Sequence, residues 1–145
     1  MREIKAAVVT AKISEANKRK LNSLIGEGRI TYFEPFSYPE MLKMAAAGAT
    51  KEEIMQAMKS FRATVKATVL DKNPDVAILG ADIDDSILAS ANMKWIHCTH
   101  AGIEKSAKQE VFERNIVVTS SAGRSAPALA EHAMMFILAL TYDIN

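Results

Sequence analysis

The sequence predicts an α/β protein in which helices cover both faces of a parallel sheet. Five short apolar or β-branched runs are typical of strands, and segments with helical spacing separate them. The run at 75–80 (DVAILG) is apolar almost throughout and bounded by turn residues, as expected for a strand buried on both faces. With 145 residues, the chain is expected to form one domain with a proper core.

The first half of the chain predicts two strands and three helices. Residues 6–9 and 29–33 have the composition of short strands. Between them, Ser14 is a candidate N-cap for a helix that ends at Gly26. The apolar stripe of this helix comprises Leu21, Leu24 and Ile25.

Two further helices precede the third strand. Pro39 suits the first turn of a short helix over residues 40–47, which Gly48 ends. Thr50 and Glu53 then have the spacing of a capping box at the start of an amphipathic helix. Its apolar residues are Ile54, Ala57, Met58 and Phe61, and helical spacing resumes at Val65 and Val69.

The second half predicts three strands, over residues 75–80, 94–98 and 116–119. A short helix is expected over residues 86–91. Another is expected between the fourth and fifth strands, because apolar residues recur every four positions. That helix contains Ile103, Ala107 and Val111 and ends near Asn115. A last helix begins at Ser125, an ordinary N-cap, and ends at about Tyr142.

Composition excludes several function classes. A net charge of +1 gives no attraction to nucleic acid or to membranes, and a single cysteine excludes an internal disulfide. The start of the chain is charged and then strand-like, unlike a signal peptide, and no apolar run is long enough to span a bilayer. We therefore expect a cytoplasmic protein.

The familiar nucleotide and metal motifs are missing from the sequence. Gly26 and Gly28 follow a helix, whereas a dinucleotide fingerprint or a P-loop follows a strand. His97, Cys98 and His100 are close in sequence, but alternation along a strand places Cys98 and His97 on opposite faces. We therefore expect no metal site, and Cys98 is interpreted as a small core residue.

Two loops at the carboxyl ends of strands are candidate ligand sites. Ala101 and Gly102 follow the fourth strand, where backbone N–H groups could bind an anion, although a plain turn explains the same residues. Arg124 precedes the last helix, where it is either an anion ligand or a solvated charge. That helix is apolar nearly all round except at Glu131 and His132, which predicts burial on more than one side.

Three segments in the last third of the chain resemble the D-isomer-specific 2-hydroxyacid dehydrogenases. They are residues 93–104 (MKWIHCTHAGIE), residues 115–123 (NIVVTSSAG) and residues 130–132 (AEH) with the apolar tail that follows. Their order and spacing match the substrate domain of that family over about residues 93–142. The resemblance implies a flavodoxin-like, doubly wound five-stranded sheet over residues 1–124, followed at 125–145 by a helix leading to a separate NAD-binding Rossmann domain.

The resemblance also implies site residues and partners. His100, Ala101 and Gly102 match the loop that holds the substrate carboxylate through backbone amides, and Ser121 matches a turn near the cofactor. The substrate would be a small 2-keto or 2-hydroxy acid, and the cofactor NAD or NADP. The helix over residues 125–142 would pack between domains and against a second subunit in a homodimer.

The sequence departs from the family pattern in two ways. His100 stands where small or hydroxylated residues are common, and Glu104 where aspartate is usual, so the identity of the acid stays open and the His100 side chain could itself reach the substrate. The family's glycine-rich loop and its catalytic arginine, acid and histidine would lie further along, so we expect no catalytic residues here and no activity of this chain alone. The alternative is a non-catalytic module on the same fold that binds an anion or another protein.

Overall fold

The computed structural model describes residues 4–34, 36 and 38–144 and confirms the predicted fold class. All neighbouring strands of its open five-stranded sheet are parallel, in the flavodoxin-like order β2-β1-β3-β4-β5. The charged start of the chain at residues 1–3 lies outside the described residues. The strands are β1 (Ala7–Val9), β2 (Ile30–Tyr32), β3 (Val76–Leu79), β4 (Trp95–Cys98) and β5 (Val117–Ser120).

In the described ranges, six α-helices connect and follow these strands. The Ser14 hydroxyl accepts a hydrogen bond from the Asn17 N–H at the first, and Thr50 and Glu53 form the predicted capping box at the third. Among the described residues, no helix is long and apolar enough to cross a membrane. The helices are α1 (Glu15–Ile25), α2 (Tyr38–Ala46), α3 (Lys51–Lys72), α4 (Asp85–Leu88), α5 (Gln109–Glu113) and α6 (Ala126–Thr141).

The helix predicted from Ile103 to Asn115 is wrong. A single 3-10 turn, Glu104–Ser106, is followed by an extended residue at Lys108, and only then does α5 begin. The Ser106 side chain is the physical reason: its buried hydroxyl donates to Asp82 and accepts from the Ile83 N–H. These bonds tie the turn to the loop after β3.

Two smaller predictions also fail. Leu24 was expected in the apolar stripe of α1, but it is largely exposed because it lies on the outer side of that helix. Ser125 occupies the N-cap position of α6 with helical backbone angles, and its side chain makes no capping hydrogen bond. Pro127 in the first turn of α6 provides no N–H that would need such a cap.

The main cluster of buried apolar side chains lies on one face of the sheet. Val8, Ala77 and Ile96 are register partners across β1, β3 and β4, and all three are buried. Helices α3, α4 and α5 pack on this face, and burial of their apolar side chains is the main stabilising contribution there. Their buried core residues are Val65, Val69, Ile87, Leu88 and Val111.

The opposite face is covered over only half of its width. Here α1 lies near β2, where the Tyr32 hydroxyl contacts the Lys18 carbonyl and the Asn22 side chain. Along one register row the exposed fraction rises from 2% at Ala7 and 4% at Val76 to 38% at Trp95 and 58% at Val117. Among the described residues, therefore, no helix shields β4 and β5 on this side.

Asp75 connects the amino-terminal ends of the three central strands. Its buried carboxylate accepts hydrogen bonds from the Lys5 N–H and from the Lys94 ammonium, at 2.8 and 2.7 Å. Burial raises the pKa of this carboxyl, but the bonds from Lys94 and Lys5 outweigh that effect and hold the pKa below its ordinary value. The ionised form therefore stabilises the fold.

Replacing this carboxylate should destabilise the protein in a pH-dependent way. At pH 7, Asp75→Asn is expected to lower the free energy of unfolding by about 1–3 kcal/mol, because a buried charged acceptor is lost. The stabilisation is present above the unfolded-state pKa of about 4 and is lost as the pH falls through the lower folded-state pKa. Urea unfolding of both proteins between pH 7 and pH 3 tests this.

The matched control is Asp71→Asn, the same change at an exposed carboxylate near the end of α3. It is expected to leave stability nearly unchanged. A difference between wild type and Asp75→Asn that did not shrink at low pH would contradict the role of the ionised carboxylate.

Candidate functional site

The predicted site residues lie at the carboxyl edge of the sheet, in the loops after two neighbouring strands. The loop after β4 is tied to β3, since the Thr99 N–H and hydroxyl both donate to the Leu79 carbonyl, at 2.8 and 3.0 Å. The loop after β5 is tied to β4 by a bond from the Ser121 N–H to the Cys98 carbonyl, at 3.1 Å. These anchors place His100, Ala101 and Gly102 beside the start of the Ser121 loop.

The loop after β4 presents backbone donors that have no partner among the described residues. In the described part of the chain, the N–H groups of residues 100–103 make no hydrogen bond. Gly102 has φ +73°, a left-handed conformation that a side chain would strain, so glycine keeps this turn open. Four successive N–H groups without a partner are suited to binding a carboxylate.

The Glu104 side chain beside this loop disfavours the binding of an anion. A Cβ on Gly102 would lie 3.3 Å from a carboxylate oxygen of Glu104, so this negative charge is next to the donors. The turn that follows is only three residues long, so the helix N-terminus expected from the sequence is not present. The negative charge of Glu104 would therefore weaken the binding of an acid at this loop.

The His100 ring is turned toward the protein. Its Nδ1 lies 3.1 Å from the Ala101 carbonyl oxygen, which can only accept, so Nδ1 carries the hydrogen. Its Nε2 is buried without a hydrogen-bond partner among the described residues and lies 4.0 Å from Asp82 Oδ1. In this conformation His100 contributes its backbone N–H to the loop, and the ring does not extend toward a ligand.

Ser121 belongs to a side-chain network that sequence reasoning missed. Its hydroxyl lies 3.4 Å from His97 Nε2, and His97 Nδ1 lies 3.0 Å from the Thr119 hydroxyl, which accepts from the Trp95 indole at 2.9 Å. His97 and Thr119 are register partners on the partly uncovered face. The register of β4 against β5 creates this contact, which the spacing of these residues along the chain does not reveal.

Cys98 is a core residue, as predicted from strand alternation. It is fully buried on the face opposite His97. Burial raises the pKa of its thiol, an effect that Asp82 strengthens and a hydrogen bond to Ser106 reduces. The thiol is therefore protonated at neutral pH and unsuited to act as a nucleophile.

The remaining candidates do not join the site. Arg124 is exposed, and on α6 Glu131 and His132 are exposed as well, with the His132 ring centroid 6.0 Å from that of Phe136. Within the described residues, no group of three or more His, Cys, Asp or Glu side chains is placed to hold a metal ion.

No protein-family model matches this sequence, and no curated protein matches it.

The buried thiol gives a direct test of this edge of the sheet. Under native conditions Cys98 should react with a disulfide reagent such as DTNB at least about a hundredfold more slowly than in urea, because reaction requires opening of the core. The measurement is the rate of thionitrobenzoate release. Rapid native labelling would contradict the packing of β4 described above.

Proposed function

We propose that this chain is the substrate-domain portion of an NAD(P)-dependent D-2-hydroxyacid dehydrogenase. The observation that carries the proposal is the run of unpartnered N–H groups at residues 100–103, at the carboxyl edge of a flavodoxin-like sheet. This is the loop that resembles the carboxylate-binding loop of that family. The resembling segments after β4 and β5 also lie side by side in the fold.

In the reaction, the role of this chain would be to bind the acid. Backbone donors at Ala101 and Gly102 would bind the carboxylate of a 2-keto or 2-hydroxy acid and orient its second carbon away from the sheet. The carboxylate of Glu104 would weaken binding of acids that carry a second negative charge near the first. This arrangement favours small monocarboxylates.

The described residues do not themselves fit a dinucleotide. The glycine pair Gly26 and Gly28 follows α1, away from the carboxyl edge, and the Ser121 hydroxyl already contacts His97. A nicotinamide bound by a second domain would supply the hydride. Ser121 would then lie near the cofactor as part of the loop after β5, and this chain alone would be inactive.

The exposed apolar surface of α6 favours a partner that covers this helix. None of its residues is buried, although most are apolar. With roughly 200 Å² for a large side chain, the exposed fractions of its largest apolar residues come to roughly 800 Å², which is comparable with the about 800 Å² per partner of a standard interface. We expect α6 to be covered by the second domain and by a second copy in a homodimer. Its largest exposed apolar residues are Leu129, Met134, Met135, Phe136, Ile137, Leu138 and Leu140.

The same surface supports a second candidate function. A non-catalytic module that binds another protein through α6 would also expose these side chains, and it would not require the N–H groups of residues 100–103 to bind an acid. Binding of a 2-hydroxy acid at the loop therefore separates the two candidates.

Amide chemical shifts of the isotope-labelled chain, titrated with D-lactate, test the proposed site. We expect saturable shifts at residues 100–103 with an affinity on the order of millimolar, and none with the uncharged D-lactamide. Glu104→Gln should tighten binding about threefold to fivefold, because it removes a nearby negative charge worth about 1 kcal/mol. Glu27→Gln, at an exposed carboxylate in another loop, is the control.

Two results would count against the proposal. Amide shifts of equal size with D-lactamide would show that the loop does not recognise the carboxylate. Oxidation of NADH or NADPH by the purified chain with glyoxylate would show that it holds a complete active site.

Self-association through α6 is tested separately by sedimentation velocity. Phe136→Glu should weaken a dimer at least about tenfold, because a charge would be buried in the interface. Leu24→Glu, at an even more exposed apolar residue on α1, should have no such effect. A wild-type chain that stayed monomeric at high concentration would contradict the homodimer.

A further inference from the structure

A second site lies on the core side of the sheet, between α3 and α4. A cavity of about 360 Å³ opens there at the carboxyl ends of β1 and β3. These two strands are where the order of the sheet reverses, since the chain passes from β1 outward to β2 and later returns to β3. Open α/β sheets bind ligands at such a switch point, and the volume is within the range of small-molecule sites.

The walls of this cavity are largely apolar. Met58, Phe61 and Val65 line it from α3, and Ile87 lines it from α4. The ring of Phe61 is fixed edge-on against Phe33, with centroids 6.2 Å apart. The cavity therefore offers a preformed surface to an aromatic or branched aliphatic group.

The free hydrogen-bond donors of the cavity are mostly cationic. Arg62 pairs through Nε with Asp84 at 3.3 Å, and its terminal nitrogens donate no hydrogen bond to any described residue. Asp84 uses its other oxygen to accept from the Ser86 N–H. Lys105 also lines the cavity and makes no ion pair within the described part of the chain.

Ser86 is a third donor without a partner. The residue is only 7% exposed and lines the cavity, and its hydroxyl makes no hydrogen bond to any described residue. Its oxygen is accessible rather than sealed in the core, so the hydroxyl can donate to a ligand in the cavity. The remaining carboxylate, Asp82, uses one oxygen to accept from the Ser106 hydroxyl.

We propose that this cavity binds a monocarboxylic acid with an aromatic or branched aliphatic body. The body lies against Met58 and Phe61, and the carboxylate accepts hydrogen bonds from Arg62, Lys105 and Ser86. A planar carboxylate matches the free edge of a guanidinium, so the Arg62 side chain is suited to this role. The site is independent of the proposed function, since residues 100–103 do not line it and no nicotinamide is required.

The experiment is a calorimetric titration of the full chain with phenylacetate, compared with its uncharged analogue phenylacetamide. We expect saturable phenylacetate binding that is at least about tenfold tighter than phenylacetamide binding. Arg62→Gln should weaken phenylacetate binding at least about tenfold, and Lys105→Gln and Ser86→Ala should each weaken it severalfold. Lys59→Gln, at an exposed lysine on α3 outside the cavity lining, should leave the affinity unchanged.

Amide shifts locate the bound acid and keep this test separate from that of the loop. Phenylacetate should shift the amides of residues 83, 86 and 87 and spare those of residues 100–103. If Arg62→Gln fails to fold, Lys105→Gln decides, because Lys105 is exposed and forms no ion pair among the described residues. The proposal is overturned by equal affinity for phenylacetamide, by wild-type affinity in Lys105→Gln and Ser86→Ala, by absence of binding, or by shifts confined to residues 100–103.

Discussion

The alignment of the central strands depends on Asp75. Its N–H donates to the Ala6 carbonyl, its own carbonyl accepts from the Lys94 and Trp95 N–H groups, and its carboxylate binds Lys5 and Lys94. One residue therefore fixes the starts of β1, β3 and β4 relative to one another. Because parallel strands rise by nearly the same distance per residue, alignment at this edge also fixes where the three strands end.

The functional edge follows from that alignment. Gly80 lies so close to the loop after β1 that a Cβ there would be 3.2 Å from the Ala11 Cα, so the loops after β1 and β3 are in contact. The Leu79 carbonyl then accepts two bonds from Thr99, which fixes the loop after β4 against the same strand. The loop of residues 100–103 and the cavity beside Arg62 are both formed by backbone that these contacts hold in place.

Sequence reasoning succeeded where local interactions decide the structure. The capping box at Thr50 and the apolar run of β3 specify their elements within a few residues, and the parallel order follows from alternating strands and helices. Sequence reasoning failed where contacts between residues that are distant along the chain decide the structure. Ser106 interrupts a helical pattern through bonds to the loop after β3, and His97 meets Ser121 only in the observed register. The Arg62 cavity combines residues from both halves of the chain, so no spacing marks it.

The uncovered half of the sheet and the unburied α6 both leave apolar surface exposed. Helix α6 follows β5, yet none of its residues is buried, and Trp95 on β4 and Val117 on β5 stay exposed. An apolar helix and a half-covered sheet are both unfavourable in water, because each leaves apolar surface hydrated. A partner that covers only α6 would still leave β4 and β5 open. The surface of α6 and the exposed face of β4 and β5 therefore each need an apolar partner surface, and they lie at two separate places on this fold.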